Sequence, residues 1–98
     1  MQENPSPSLI QANVKVRGIV QGVCFRYFVL EKARNLQVTG WVRNCTDGTV
    51  EAVIQGTQMD VDAMLDHIQK GPPMAQVENM DISRGKPVPL LRTFEIRR

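Results

Sequence analysis

A glycine-containing turn between a predicted strand and a predicted helix is the feature that most constrains this chain of 98 residues. The alternating stretch Val14–Arg17 precedes the turn and indicates a half-buried strand. Apolar residues at helical spacing follow it, namely Phe25, Phe28, Val29, Ala33 and Leu36. Such a turn directs the first backbone N–H groups of the helix outward, together with the positive end of the helix dipole. The sequence therefore predicts a strand–turn–helix unit whose helix N-terminus is open to a ligand.

The residues of the turn favour an oxyanion as that ligand. Gly22 allows a positive φ or a close approach of the backbone, and Arg26 carries a planar, permanent positive charge. Helix N-termini of this kind bind phosphate. We expect the anion to be held by the backbone of Gln21, Gly22, Val23, Cys24, Phe25 and Arg26. The pattern is neither a Walker motif nor a dinucleotide fingerprint, so a turn that only connects two elements remains an alternative at this point.

Two stretches of the chain resemble the two signatures of the acylphosphatase family. The first is VRGIVQGVCFR, residues 16–26, and the second is GWVRNCTDGTV, residues 40–50, followed by Gly56. Both have the order and separation found in the family, and the resemblance extends from about Asn13 to the C-terminus. The chain is therefore identified as a member of this family.

The resemblance implies a hydrolase that splits the carboxyl–phosphate mixed anhydride of acyl phosphates into a carboxylate and inorganic phosphate. It implies that Arg26 and Asn44 are the catalytic pair: Arg26 grips the phosphate and Asn44 orients the attacking water. The substrate's own phosphoryl group takes the proton, so no metal and no cofactor are expected. Inorganic phosphate should act as product and competitive inhibitor. A non-catalytic module on the same scaffold, which binds anions or a partner, is the alternative.

The order of predicted elements is β-α-β-β-α-β with an extra C-terminal strand. Predicted strands cover Asn13–Ile19, Val38–Cys45, a stretch from Val50, Gln76–Ser83 and Thr93–Arg97, and predicted helices cover Cys24–Leu36 and Gln58–Lys70. This order suits an α+β, ferredoxin-like sandwich, in which two helices cover one face of an antiparallel sheet. The C-terminal ends of strands one and two then lie at one sheet edge, which places the turn beside Asn44. Relatives of the acylphosphatase family tend to have glycine at position 37, where the helix ends and the backbone turns left-handed. We therefore expect Gln37 to adopt a left-handed backbone conformation.

Composition limits the other functions that the chain can have. A net charge of +2 and an aromatic fraction of 5% argue against a nucleic-acid partner, and no apolar run is long enough to span a membrane. Residues 1–11 resemble a flexible tail without a secretory signal, followed by one domain over residues 12–98. We therefore expect a cytoplasmic monomer. Two cysteines in a chain of this type suggest free thiols, and a Cys24–Cys45 disulfide is the alternative, since both residues lie at one sheet edge. No cluster of histidine, cysteine or carboxylate has the spacing of metal ligands.

Overall fold

The computed structural model describes residues 8–98, so the predicted tail lies largely outside the described residues. The strands are β1 (Leu9–Ile19), β2 (Thr39–Asn44), β3 (Val50–Thr57), β4 (Gln76–Gly85) and β5 (Phe94–Arg97). The helices are α1 (Phe25–Leu36) and α2 (Gln58–Lys70). The element order and the bounds of both helices confirm the sequence prediction to within one residue.

The five strands form one sheet in the order β4-β1-β3-β2-β5. β3 lies at the centre and pairs antiparallel with β1 on one side and β2 on the other. β4 also pairs antiparallel, with the outer edge of β1, but β5 runs parallel to β2. The four strands of the predicted sandwich are antiparallel, as expected, and the added C-terminal strand β5 makes the sheet mixed. The arrangement is the predicted ferredoxin-like fold.

The first strand begins earlier than predicted. Leu9 pairs with Thr57 and Ile10 pairs with Gly56, so β1 spans the whole length of β3. The sequence assigned residues 9–11 to the tail because the prolines and serines before them show no periodicity. These residues are instead part of the strand, since their main chain continues the hydrogen-bond ladder that β3 offers.

Both helices cover the same face of the sheet, as predicted. On that face β1 and β3 present alternate residues that are almost fully buried, namely Ala12, Val14, Val16, Val50, Ala52 and Ile54. The helices bury their apolar stripes against them: Val29 and Ala33 from α1, and Val61, Met64, Leu65 and Ile68 from α2. Neither helix within residues 8–98 is long and apolar enough to cross a membrane.

The opposite face of the sheet is polar, and a proline-containing segment covers part of it. Gln55 lies on that face and is 1% exposed. Its side chain donates to the Pro89 carbonyl at 2.7 Å and accepts from the Leu91 backbone N–H at 2.8 Å. A buried amide without partners would be costly. The two hydrogen bonds therefore fix the segment before β5 against the sheet.

Helix α1 ends on a left-handed residue, as the sequence predicted. Gln37 has φ 58° and ψ 33°. Its backbone N–H donates to the Arg34 carbonyl at 3.3 Å, and the Val38 N–H donates to the Ala33 carbonyl at 3.1 Å. This pair of hydrogen bonds is a Schellman motif, in which the left-handed position is usually glycine.

Replacing Gln37 by glycine should leave the protein as stable as before or raise its free energy of unfolding by up to about 1 kcal/mol, because glycine adopts positive φ without steric cost. Urea denaturation of Gln37→Gly measures the change. Gln69→Gly is the matched control: Gln69 is right-handed within α2, and glycine there should cost about 1 kcal/mol. A clear loss of stability in Gln37→Gly would contradict the expectation.

Candidate active site

The two sequence signatures meet at one end of the sheet. Val50 of β3 is the pairing partner of Val16 on one side and of Asn44 on the other. β1 and β2 therefore run in the same direction, and their C-terminal ends lie at the same edge. The turn that leaves β1 is thereby brought beside Asn44, as the strand order predicted.

A cleft of about 270 Å³ lies at this edge, and it contains most of the predicted site residues. Arg26 and Asn44 both line it, with Gly22, Cys24 and Phe25 from the predicted loop, and Val20 and Tyr27 complete the wall. Val23 and Gln21 do not line it. Val23 instead packs against the core, and the side chain of Gln21 points to the β2–β3 hairpin.

The backbone of the loop presents unpaired donors. Gly22 has φ 75° and Cys24, at the N-cap of α1, has φ 62°, so the chain twice enters the left-handed region. The first helical hydrogen bond is from the Phe28 N–H to the Cys24 carbonyl, at 3.0 Å. Within residues 8–98, no hydrogen bond engages the backbone N–H groups of residues 22–27. Such a run of outward N–H groups forms a concave anion-binding surface.

Arg26 differs from the arginines of the sheet in its partners. Arg17 pairs with Asp81 at 3.4 Å, and Arg43 pairs with Glu51 at 2.7 Å. Arg26 makes no ion pair and no side-chain hydrogen bond with any residue in the described part of the chain. No carboxylate lines the cleft, so its charge is positive. The guanidinium is available to an anionic ligand.

Asn44 contributes a polar atom that the protein does not satisfy. Its Oδ1 is buried and has no hydrogen-bond partner, and it is the only such side-chain atom among residues 8–98. Leaving a buried acceptor unpaired costs about 1–3 kcal/mol. An acceptor of this kind beside the unpaired loop N–H groups is suited to accept a hydrogen bond from a water molecule or a ligand.

The β2–β3 hairpin is held to the loop by Gln21. The side-chain Nε2 of Gln21 donates to the carbonyls of Cys45 and Thr49, at 2.8 Å each. The sequence motif predicted a role only for the backbone of Gln21, and this side-chain contact was not predicted. A hydrogen bond between residues so far apart in sequence leaves no local pattern, so only the signature match at Gln21 pointed to the position.

Asp47 stiffens the same hairpin. Its carboxylate accepts from the hydroxyl and the backbone N–H of Thr49, at 2.6 and 3.1 Å, and lies 3.3 Å from the Lys15 Nζ. These contacts, first of all the Thr49 hydroxyl, lower the pKa of Asp47 to about 2. Their contribution to stability is complete above the ordinary pKa of 3.8 and is lost as the pH falls through about 2. The Asp47 carboxylate therefore stays ionised near neutral pH, and its hydrogen bonds to Thr49 persist there.

The cysteine thiols, the single tryptophan and the potential metal ligands were also candidates for a functional role. Cys24 and Cys45 are both free thiols, so the alternative of a disulfide between them is not found, and Cys24 is exposed. Trp41 lies on the polar face, and the guanidinium groups of Arg43 and Arg97 both pack against its ring, at 5.5 and 5.0 Å from the ring centroid. Among residues 8–98, no group of three or more histidine, cysteine, aspartate or glutamate residues is placed to hold a metal ion.

Comparison with known proteins identifies relatives of the whole domain. The family model described as Acylphosphatase matches residues 12–96. An acylphosphatase of Moorella thermoacetica is 45% identical over 80 residues, which are 82% of this chain and 86% of the relative. The crystal structure of acylphosphatase from Bacillus subtilis superposes with a TM-score of 0.88 at 30% identity and covers 91% of this chain and 99% of that one. Full-length HypF, solved in a phosphate- and nucleotide-bound form, matches with a TM-score of 0.88 at 25% identity over 98% of this chain but only 13% of its own.

Removing the Gln21 side chain should loosen the junction between loop and hairpin. Gln21→Ala loses two partly buried hydrogen bonds, and we expect the free energy of unfolding to fall by about 1–2 kcal/mol. Gln21→Glu should cost more, because a carboxylate faces two carbonyl oxygens and cannot donate. Urea denaturation measures both, with the exposed Gln69→Ala as the matched control. A change within about 0.5 kcal/mol for Gln21→Ala, the range of ordinary surface substitutions, would show that the contact adds no stability.

Proposed function

The chain belongs to the acylphosphatase family, whose members hydrolyse acyl phosphates, and we propose that Arg26, Asn44 and the backbone of residues 21–26 carry out that hydrolysis. The observation that carries the proposal is the cleft itself, which is lined both by Arg26, whose guanidinium has no protein partner, and by Asn44, whose side-chain oxygen has none. Relatives that match most of the chain are named acylphosphatases, which favours an enzyme over a non-catalytic anion-binding module. Turnover of benzoyl phosphate, followed by its ultraviolet absorbance, distinguishes the two.

The phosphoryl group of the substrate binds in the cradle of N–H groups. The guanidinium of Arg26 donates two parallel hydrogen bonds to its oxygens, and the amides of the loop hold the third. The dipole of α1 adds positive charge at the same place. Little covalent chemistry is asked of the protein in phosphoryl transfer, so positioning and charge stabilisation supply most of the rate. The Gln21 contact with the hairpin keeps this cradle at a fixed distance from Asn44.

The attacking water is held by Asn44. Its Oδ1 accepts a hydrogen bond from the water and aims the water oxygen at phosphorus, opposite the carboxylate that leaves; the hydrogen-bonded proton stays on that oxygen. As the new P–O bond forms, the bond between phosphorus and the acyl oxygen breaks, and that oxygen keeps the electron pair. The second proton of the water passes to a phosphoryl oxygen. The products are a carboxylate and dihydrogen phosphate, so no protein side chain has to act as a general base.

The reaction proceeds without a metal ion in this proposal. Arg26 and the loop amides already face the charge that develops on the phosphoryl oxygens. The residues that line the cleft contain one thiol and one amide but no carboxylate and no imidazole. Mg²⁺ prefers carboxylate and phosphate oxygens, and this lining offers it no carboxylate.

Arg26→Ala and Asn44→Ala should fail in different ways. Arg26 holds the phosphoryl group before and during the reaction, so its removal should abolish both turnover and competitive inhibition by phosphate. Arg26→Lys should restore little, because a point charge does not reproduce the planar fork. Asn44→Ala should lower kcat at least ~100-fold, about 2.7 kcal/mol of barrier, while the inhibition constant for phosphate stays close to that of the wild type.

Arg84→Ala and Asn79→Ala are matched controls for these variants, since both residues are exposed and line no part of the cleft. Circular dichroism should show a native fold in all five variants. If folded Asn44→Ala keeps more than half of its kcat, another residue positions the water. If it loses phosphate inhibition as severely as Arg26→Ala, Asn44 belongs to the cradle.

Activity should survive exhaustive dialysis against EDTA. Because no metal takes part in the proposed steps, the rate with benzoyl phosphate should change by less than about twofold, a barrier difference of about 0.4 kcal/mol. Loss of activity that Mg²⁺ or Zn²⁺ restores would show that a metal supplies the missing charge. Circular dichroism before and after dialysis serves as the control, since it detects any loss of fold.

A further inference from the structure

A second groove lies beside the cleft, along the outer side of α1. Its volume is about 480 Å³, and it is larger than the cleft. Residues at helical spacing on α1 form its floor, and Pro72, just after α2, forms part of its other wall. We propose that this groove binds the acyl group of the substrate and that the enzyme prefers acyl phosphates with an extended apolar acyl chain. The inference rests on the proposed function.

The position of the groove follows from the walls that it shares with the cleft. Cys24 and Tyr27 line both. A phosphoryl group bound at the N-terminus of α1 therefore lies at one end of the groove. The acyl carbon is joined to that phosphoryl group through a single oxygen, so the acyl chain must leave the cleft within one or two bonds. The groove begins where the chain leaves.

The lining of the groove matches an apolar chain. Tyr27, Phe28, Leu30 and Pro72 contribute aromatic or aliphatic surface, and Tyr27 is 69% exposed. Glu31 and Arg34 place their charges at exposed positions of the rim. A groove that is mostly apolar with a few polar groups is the usual form of a small-molecule site, and such sites measure about 300–1,000 Å³.

The length of the groove sets the length of chain that it can hold. Tyr27 and Arg34 lie seven residues apart on α1, which corresponds to roughly 10 Å along the helix. An acetyl group does not reach beyond Tyr27, whereas a hexanoyl chain extends along the floor past Leu30. Contacts with the chain are the same in the bound substrate and in the transition state. They therefore lower KM and raise kcat/KM, while kcat itself stays unchanged.

A series of straight-chain acyl phosphates tests the proposal on the wild-type enzyme. Acetyl, butyryl and hexanoyl phosphate contain the same reacting anhydride and differ in apolar length. Burying a methylene fully is worth about fourfold in binding, and a partly open groove should give about twofold. We expect kcat/KM for hexanoyl phosphate to exceed that for acetyl phosphate by at least about tenfold. Equal kcat/KM values for the three substrates would overturn the proposal that the groove binds the acyl chain. Failure to hydrolyse acetyl phosphate itself would overturn the proposed function instead.

The variant Leu30→Ala tests whether the acyl chain of the substrate binds in the groove. Leu30 lines the groove and not the cleft, so the variant should lower kcat/KM for hexanoyl phosphate about fivefold and leave acetyl phosphate within twofold. Leu90→Ala is the matched control, because Leu90 is exposed and lines neither the groove nor the cleft. If chain-length dependence is present but Leu30→Ala leaves it unchanged, the acyl chain binds elsewhere and the proposal is wrong. The acetyl phosphate rate of each variant reports whether it is folded, and the wild-type series decides the proposal without any variant.

Discussion

The pairing of β3 with β1 on one side and β2 on the other is the interaction on which the rest of the structure depends. Because β3 is antiparallel to both neighbours, these two strands end at the same edge of the sheet. One end delivers the loop and Arg26, and the other delivers Asn44. The core supports this edge from below, since the strands bury their alternate residues against both helices. A site made from two distant segments is thereby fixed by ordinary main-chain hydrogen bonds.

Polar groups near the site are of two kinds: some have hydrogen-bond partners within the protein, and others have none. Gln21 and Asp47 are satisfied, and they hold the hairpin and the loop in position. The loop amides, Arg26 and the Oδ1 of Asn44 are open. A chain that satisfies nearly all its buried polar atoms keeps such exceptions mainly where a ligand completes them. The contrast separates the framework of the site from the atoms that we propose face the substrate.

Most of the fold could be predicted because its signals are local. The stripe of Val61, Met64, Leu65 and Ile68 fixed α2, and the Asp47-Gly48 turn fixed the hairpin. The start of β1 could not be predicted, because residues 9–11 are ordered by their pairing with β3 and not by their own pattern. The parallel pairing of β5 with β2 could not be predicted either. A strand of four residues carries no signal for parallel or antiparallel pairing, and the Gln55 contacts that fix the preceding segment join distant parts of the chain.

The central position of β3 also bears on how the protein acquires its activity. β1 and β3 pair residues that lie far apart in sequence, such as Leu9 and Thr57. Chains rich in such contacts fold slowly, because the entropy cost of closing the loop precedes the favourable contacts that the closure allows. Either helix could form from local contacts without placing Arg26 beside Asn44. At the proposed site, hydrolysis becomes feasible only after β1 and its loop have docked on the β2–β3 hairpin, so recovery of turnover during refolding marks completion of the topology and not the appearance of secondary structure.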